Sequence, residues 1–100
     1  MFLIMTTYKV PINEIEKYLV AHRDFLAEGY DKNYFVVSGP KKPRTGGVII
    51  SQLTDRAKLD DLLSNDPFVI HDLVNYEIIE FEPVKYHEKF ASFVNDEFIY

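Results

Sequence analysis

Tyr34-Phe35-Val36-Val37-Ser38-Gly39-Pro40-Lys41-Lys42-Pro43-Arg44-Thr45-Gly46-Gly47-Val48-Ile49-Ile50-Ser51-Gln52-Leu53 is the stretch from which the rest of the chain can be read. Its two ends are β-branched and aromatic, residues that suit a pleated, half-buried surface. Its middle holds Gly, Pro and three cations. Two strands over 34–38 and 48–53, joined by a loop over 41–47, therefore form an antiparallel hairpin. Ser38-Gly39-Pro40 closes the first strand and Gly46-Gly47 opens the second.

Upstream, residues 2–9 alternate as another strand. Phe2, Ile4, Thr6 and Tyr8 fall on one side, and Leu3, Met5, Thr7 and Lys9 on the other. Pro11 and Asn13 break that run and mark the start of a helix. From Glu14 to about Tyr30, Ile15, Tyr18, Leu19, His22, Phe25 and Leu26 recur at three-and-four spacing, which predicts one amphipathic helix. Glu14, Glu16, Lys17, Arg23, Asp24 and Glu28 fill most of its solvent side, and Gly29 stands where its C-terminus is expected. Downstream, Thr54 or Asp55 caps a second helix reaching Leu63. Asp66-Pro67-Phe68 interrupts it, and Pro67 opens a short turn to His71. Residues 74–81 make the fourth strand.

The order is β-α-β-β-α-β. Two interleaved β-α-β units of this kind predict an α+β, ferredoxin-like domain over 1–85, its four-stranded antiparallel sheet covered by helices on one face. Residues 86–100 form a C-terminal extension. Phe90, Phe93, Phe98 and Ile99 make it apolar enough to pack on the domain or on a partner copy.

The other sheet face is expected to be apolar too. Val48 and Ile50 oppose Ile49 and Leu53, Tyr34 and Val36 oppose Phe35 and Val37, and Ile79 and Phe81 oppose Tyr76 and Ile78. Bare hydrocarbon on that scale exceeds what monomers usually tolerate. A homodimer through the sheet face is the simplest cover; a tail folded back over its own sheet is the alternative.

Composition narrows the function classes. At 100 residues with 47% hydrophobic content, eight Phe and seven Tyr, the chain supports one packed core. A net charge of −5 argues against nucleic acid as partner, since phosphate neutralisation supplies most of that affinity. No apolar run approaches the roughly 20 residues of a membrane span, and the opening Met1-Phe2-Leu3-Ile4-Met5 lacks the basic leader of a signal peptide. Cysteine is absent, which excludes disulfides, thiolate catalysis and Cys-ligated metals. A cytoplasmic protein is expected.

His22 stands on the apolar stripe between Leu19 and Leu26, where a hydrophobe belongs. It reads either as a general base, since imidazole titrates near neutrality, or as a core histidine satisfied by one hydrogen bond. Asp66 is either the orienting carboxylate of that imidazole or simply an N-cap before Pro67. The glycines at 39, 46 and 47 admit positive φ and close approach to a ligand, or serve the turn alone. Lys41, Lys42 and Arg44 either draw an anionic substrate to the pocket mouth or form a solvated loop. His22, His71 and His87 show no ligand spacing and no phosphate loop is present, so neither metal nor cofactor is expected.

Taken together, His22-Arg23, Gly29, Ser38-Gly39-Pro40, Gly46-Gly47, Asp66-Pro67-Phe68 and Tyr76-Glu77-Ile78-Ile79-Glu80-Phe81 resemble the YCII-related family of small dimeric α+β barrel proteins. The likeness covers residues 1 to about 83. Each motif is weak alone; jointly they are fairly specific. The resemblance implies a dimeric α+β barrel with a pocket on each subunit and a His–Asp pair mapping onto His22 and Asp66. The tip between Pro40 and Gly46 is shorter than in many relatives, and the tail beyond about Lys85 is longer. Most relatives have no established reaction. One branch is similar to enzymes that remove chloride from hydroxylated rings, and the wider fold includes lactone isomerases and cofactor-free oxygenases. The expectation is a cofactor-independent lyase or isomerase with His22 and Asp66 catalytic and Ser38, Gly39, Pro40, Arg44, Gly47 and Phe68 contacting a small-molecule substrate. The alternative is a non-catalytic binding or accessory dimer.

Overall fold

A computed structural model of the protein describes residues 1–94. Strand β1 (Phe2–Tyr8) lies inside the sheet, paired antiparallel with β3 (Gly46–Ser51) and with β4 (Val74–Glu80). Strand β2 (Phe35–Pro40) pairs with β3 at the edge, giving the order β2-β3-β1-β4. This is the expected ferredoxin-like α+β arrangement. The helices are α1 (Ile12–Glu16), α2 (Leu19–Asp31), α3 (Arg56–Leu63) and α4 (Pro67–Ile70), and a 3-10 helix spans Glu88–Phe93. Among the described residues, no helix is long and apolar enough to cross a membrane.

Two clusters share the interior. Phe2, Ile4, Phe35, Ile49, Leu59 and Leu63 form one, with Phe25 and Leu26 of α2 packed against it. Ile15, Phe68, Leu73 and Val74 form the other, with Tyr8, Tyr18 and Leu19 alongside. These separate destinations explain why the single helix expected over 14–30 is in fact two. Tyr18 leaves helical geometry at φ −113°, ψ 7°, and its N–H reaches back only to the Ile15 carbonyl, at 3.1 Å. The break turns Ile15 into one cluster, and α2 then spans both, with Leu19 beside Ile15 and with Phe25 and Leu26 in the other.

Gly29 does not end its helix. It lies within α2, where a Cβ would overlap the Phe35 ring. Asn33 supplies the left-handed residue after the helix instead, with φ 61°. No described glycine has positive φ, so the conformational role expected of Gly39, Gly46 and Gly47 is overturned. The expected loop over 41–47 shrinks as well, because β2 continues through Pro40 and β3 begins at Gly46.

The largest local departure is a β-bulge. Phe35 pairs with Ser51 but Val37 pairs with Ile50, so Val36 is the extra residue. Simple alternation puts Phe35 and Val37 on one face. The bulge instead places Phe35 and Ser38 with the helices and turns Val37 to the opposite face, beside Ile50.

Among the described residues, no helix covers that opposite face. Val37, Ile79 and Phe81 on it are 51%, 48% and 39% exposed, so the described part of the tail does not seal it. Phe93 and Val94 instead line a hollow with Asn33, Gln52, Leu53 and Thr54. Phe98 and Ile99, also expected to pack, lie outside the described residues.

Candidate active site

The site is built where α2 and α4 meet over the sheet. At the start of α4, Asp66 is extended (φ −67°, ψ 126°) and its Oδ1 accepts the Phe68 N–H at 3.0 Å, with Pro67 in the first turn. This is the N-cap that the Asp-Pro pair predicts. The same oxygen lies 2.8 Å from His22 Nδ1. One carboxylate oxygen therefore both caps α4 and contacts the imidazole.

The Phe68 that this cap anchors forms the bed of the ring. His22 and Phe68 stack with centroids 3.9 Å apart and planes 6° from parallel. The side chains of His22 and Asp66 are 16% and 4% exposed. An ionised carboxylate only accepts hydrogen bonds, so Nδ1 is the donor of this pair, and Nε2 is the atom that presents a lone pair whenever the ring is neutral. Nε2 has no partner among the described residues, and no buried side-chain nitrogen or oxygen there is left unsatisfied. Nε2 is thus open to the adjoining space.

That space is a cavity of about 370 Å³, within the usual range for small-molecule pockets. His22, Ser38, Gly39, Pro40, Arg44, Gly47 and Phe68, all singled out from the sequence, line it, while Asp66 stands behind His22. The bulge in β2 brings Ser38 to this side, where its hydroxyl meets the Tyr30 hydroxyl at 2.6 Å. Lys41 does not belong to the site: its ammonium turns to Thr7 Oγ1 at 3.2 Å, and neither it nor Lys42 lines the cavity. Arg44 does, and its Nη1 lies 3.8 Å from Glu16 of α1.

Sequence reasoning missed Thr6, Tyr8 and Arg23. Thr6 and Tyr8 continue the core-facing alternation of Phe2 and Ile4, and that phase was the signal that could have found them. Thr6 Oγ1 accepts the Gly47 N–H at 2.8 Å, fixing the start of β3 against β1. Arg23 was assigned to the solvent side of its helix. It is exposed, yet it lines the cavity one residue beyond His22. The remaining histidines take no part. His71 stacks on Tyr18 with centroids 4.1 Å apart, and His87 Nδ1 accepts the Lys89 N–H at 3.1 Å. Among the described residues no three His, Asp or Glu side chains converge on a metal site.

A ferredoxin-like sheet with helices on one face and a His-lined pocket between them defines the class: a small α+β pocket domain. The chain belongs to the YCII-related domain family, whose model matches residues 1–82. No curated protein sequence matches it. Its structure is similar to that of the 5-chloro-2-hydroxyhydroquinone dehydrochlorinase (TftG) from Burkholderia phenoliruptrix AC1100 in complex with 2,5-dihydroxybenzoquinone. The TM-score is 0.68 at 19% identity, over 82% of this chain and 94% of that one.

Proposed function

We propose that the protein is a cofactor-independent enzyme of lyase or isomerase type, acting on a small molecule in the pocket beside His22. His22 Nε2 takes a proton from a carbon or hydroxyl acidified by a neighbouring carbonyl or ring, and Asp66 holds the resulting imidazolium through Nδ1. The electron pair left on the substrate either expels a leaving group or is reprotonated at another atom. One observation carries this reading: an imidazole with Nδ1 held by a buried carboxylate at 2.8 Å and Nε2 at a cavity. The dehydrochlorinase of similar fold makes hydroxylated rings and quinones the first compounds to try.

The flat stacking of His22 on Phe68 suits a second reading, a rigid binding or accessory domain that does no chemistry. Ligands found by thermal shift, which reports any molecule favouring the native state, separate the two in deuterated water. The enzyme washes deuterium into the ligand at the abstracted position, and the His22 Nε2 resonance moves on binding. Ligands that bind but never exchange or react would leave the accessory reading standing.

The functional unit we propose is a homodimer of the domain over 1–85, joined through the helix-free face, with 86–100 as an accessory extension. Exposed Val37, Ile79 and Phe81 support this, together with Leu3, Met5, Val48 and Ile50 on the same face. An acidic, cysteine-free chain suits a cytoplasmic setting. Val37→Glu buries a charge in that interface, and sedimentation at micromolar concentration should turn from dimer to monomer. A wild-type monomer under those conditions removes the proposal.

A further inference from the structure

The cavity's free polar groups define what can bind there. Among its lining side chains, the Thr6 hydroxyl is engaged by Gly47 and that of Ser38 by Tyr30. Four polar groups remain uncommitted or loosely held: His22 Nε2, the Tyr8 hydroxyl, Arg23 and Arg44. Arg23 has no ion-pair partner among the described residues, and Arg44 has only its 3.8 Å contact with Glu16. Among the described residues no Asp or Glu lines the cavity, although the chain carries 16 acidic residues against 11 basic ones. Its apolar walls include Leu19, Leu26, Ile49 and Phe68.

A ligand matching this inventory is rich in acceptors and carries no cation, with a hydrocarbon body flat enough to lie between the sheet and α2. We propose that the pocket selects a small planar organic anion, a carboxylate or phenolate, and that Arg23 is its anchor. Arg44 is the second cationic contact, held in reserve by Glu16. A guanidinium offers paired donors matched to a carboxylate, and an unpaired one at a low-dielectric wall focuses negative charge into the cavity. The inference rests on the pocket beside His22 being the ligand site; it does not need His22 to be a base.

Salicylate and its neutral amide, salicylamide, test it on the full chain at low salt by 15N–1H spectroscopy. Salicylate should shift the Arg23 side chain and the amides of Ser38 and Gly39, and should bind about tenfold or more tighter than salicylamide. Arg23→Gln should erase that preference, and Arg23→Lys should restore part of it. Glu16→Gln should tighten salicylate binding about threefold by releasing Arg44. Arg23 is exposed, so its variants keep the fold, and a wild-type-like amide spectrum checks this. Equal affinity for the two probes, no binding of salicylate at millimolar concentration, or a preference that survives Arg23→Gln overturns the anchor. An unchanged affinity in Glu16→Gln overturns the role of Arg44. His22→Ala separates this inference from the catalytic reading: it should keep the preference for salicylate while losing deuterium exchange. Exchange that persists without any anion preference sinks the anchor alone.

Discussion

Asp66→Asn is expected to lower turnover of the protein's substrate by about 10²- to 10⁴-fold, the usual worth of a positioned general base, while hardly changing the melting temperature. The asparagine oxygen still accepts the Phe68 N–H, so α4 keeps its cap. The same oxygen also keeps its contact with His22 Nδ1, because one atom serves both partners. What is lost is the negative charge that holds the imidazolium formed when Nε2 takes a proton. Long-range 1H–15N spectra should show the proton still on Nδ1, and activity must fall although the tautomer is kept. His22→Ala should lose as much activity but also about 1–3 kcal/mol of stability, because it strips a buried carboxylate of one partner and uncovers Phe68. Asp66→Ala forfeits the cap as well, a further loss of about 1 kcal/mol. Full activity in Asp66→Asn would mean the imidazole works without the carboxylate and would overturn the proposed mechanism.

The second large effect concerns stability. Gly46→Ala should cost about 3 kcal/mol or more, because its Cβ would fall on the Thr6 carbonyl oxygen, a backbone atom that cannot swing aside. At about 4–8 °C per kcal/mol for a domain of this size, the melting temperature drops by about 12 °C or more. Gly39→Ala is the matched control. Nothing lies within 4 Å of its Cβ and its φ is not positive, so its melting temperature should hold or rise slightly. Equal melting temperatures for the two variants would show that β1 and β3 approach less closely at this point than the structure has them.

These two predictions also mark what the chain discloses before folding. Element order and strand identity are local properties, written in alternation and turn residues, and they are legible. So is His22, because a titratable ring on an apolar stripe is an anomaly that a pattern exposes. Asp66 is legible as a cap for the same reason; that one oxygen serves two partners becomes visible only when α2 and α4 are packed together. The break at Lys17-Tyr18 was hidden because the apolar stripe stays in phase across it, and only the two clusters pulling in different directions reveal it. Gly46 announced itself as a glycine but not its reason, which lies on a neighbouring strand forty residues away in the chain. Arg23 resembles any solvated charge until the cavity beside it is known.

One residue too many at Val36 makes β2 a phase switch. Were Val36 taken into the ladder as an ordinary partner of Ile50, Val37 and Gly39 would run past the ligand and the Ser38 hydroxyl would turn outward, replacing a polar wall with hydrocarbon while every side chain kept its identity. Deleting Val36 would remove the bulge and leave Ser38 where it is, so a change of pairing, rather than of side chain, is the step by which a hairpin of this build changes what it greets.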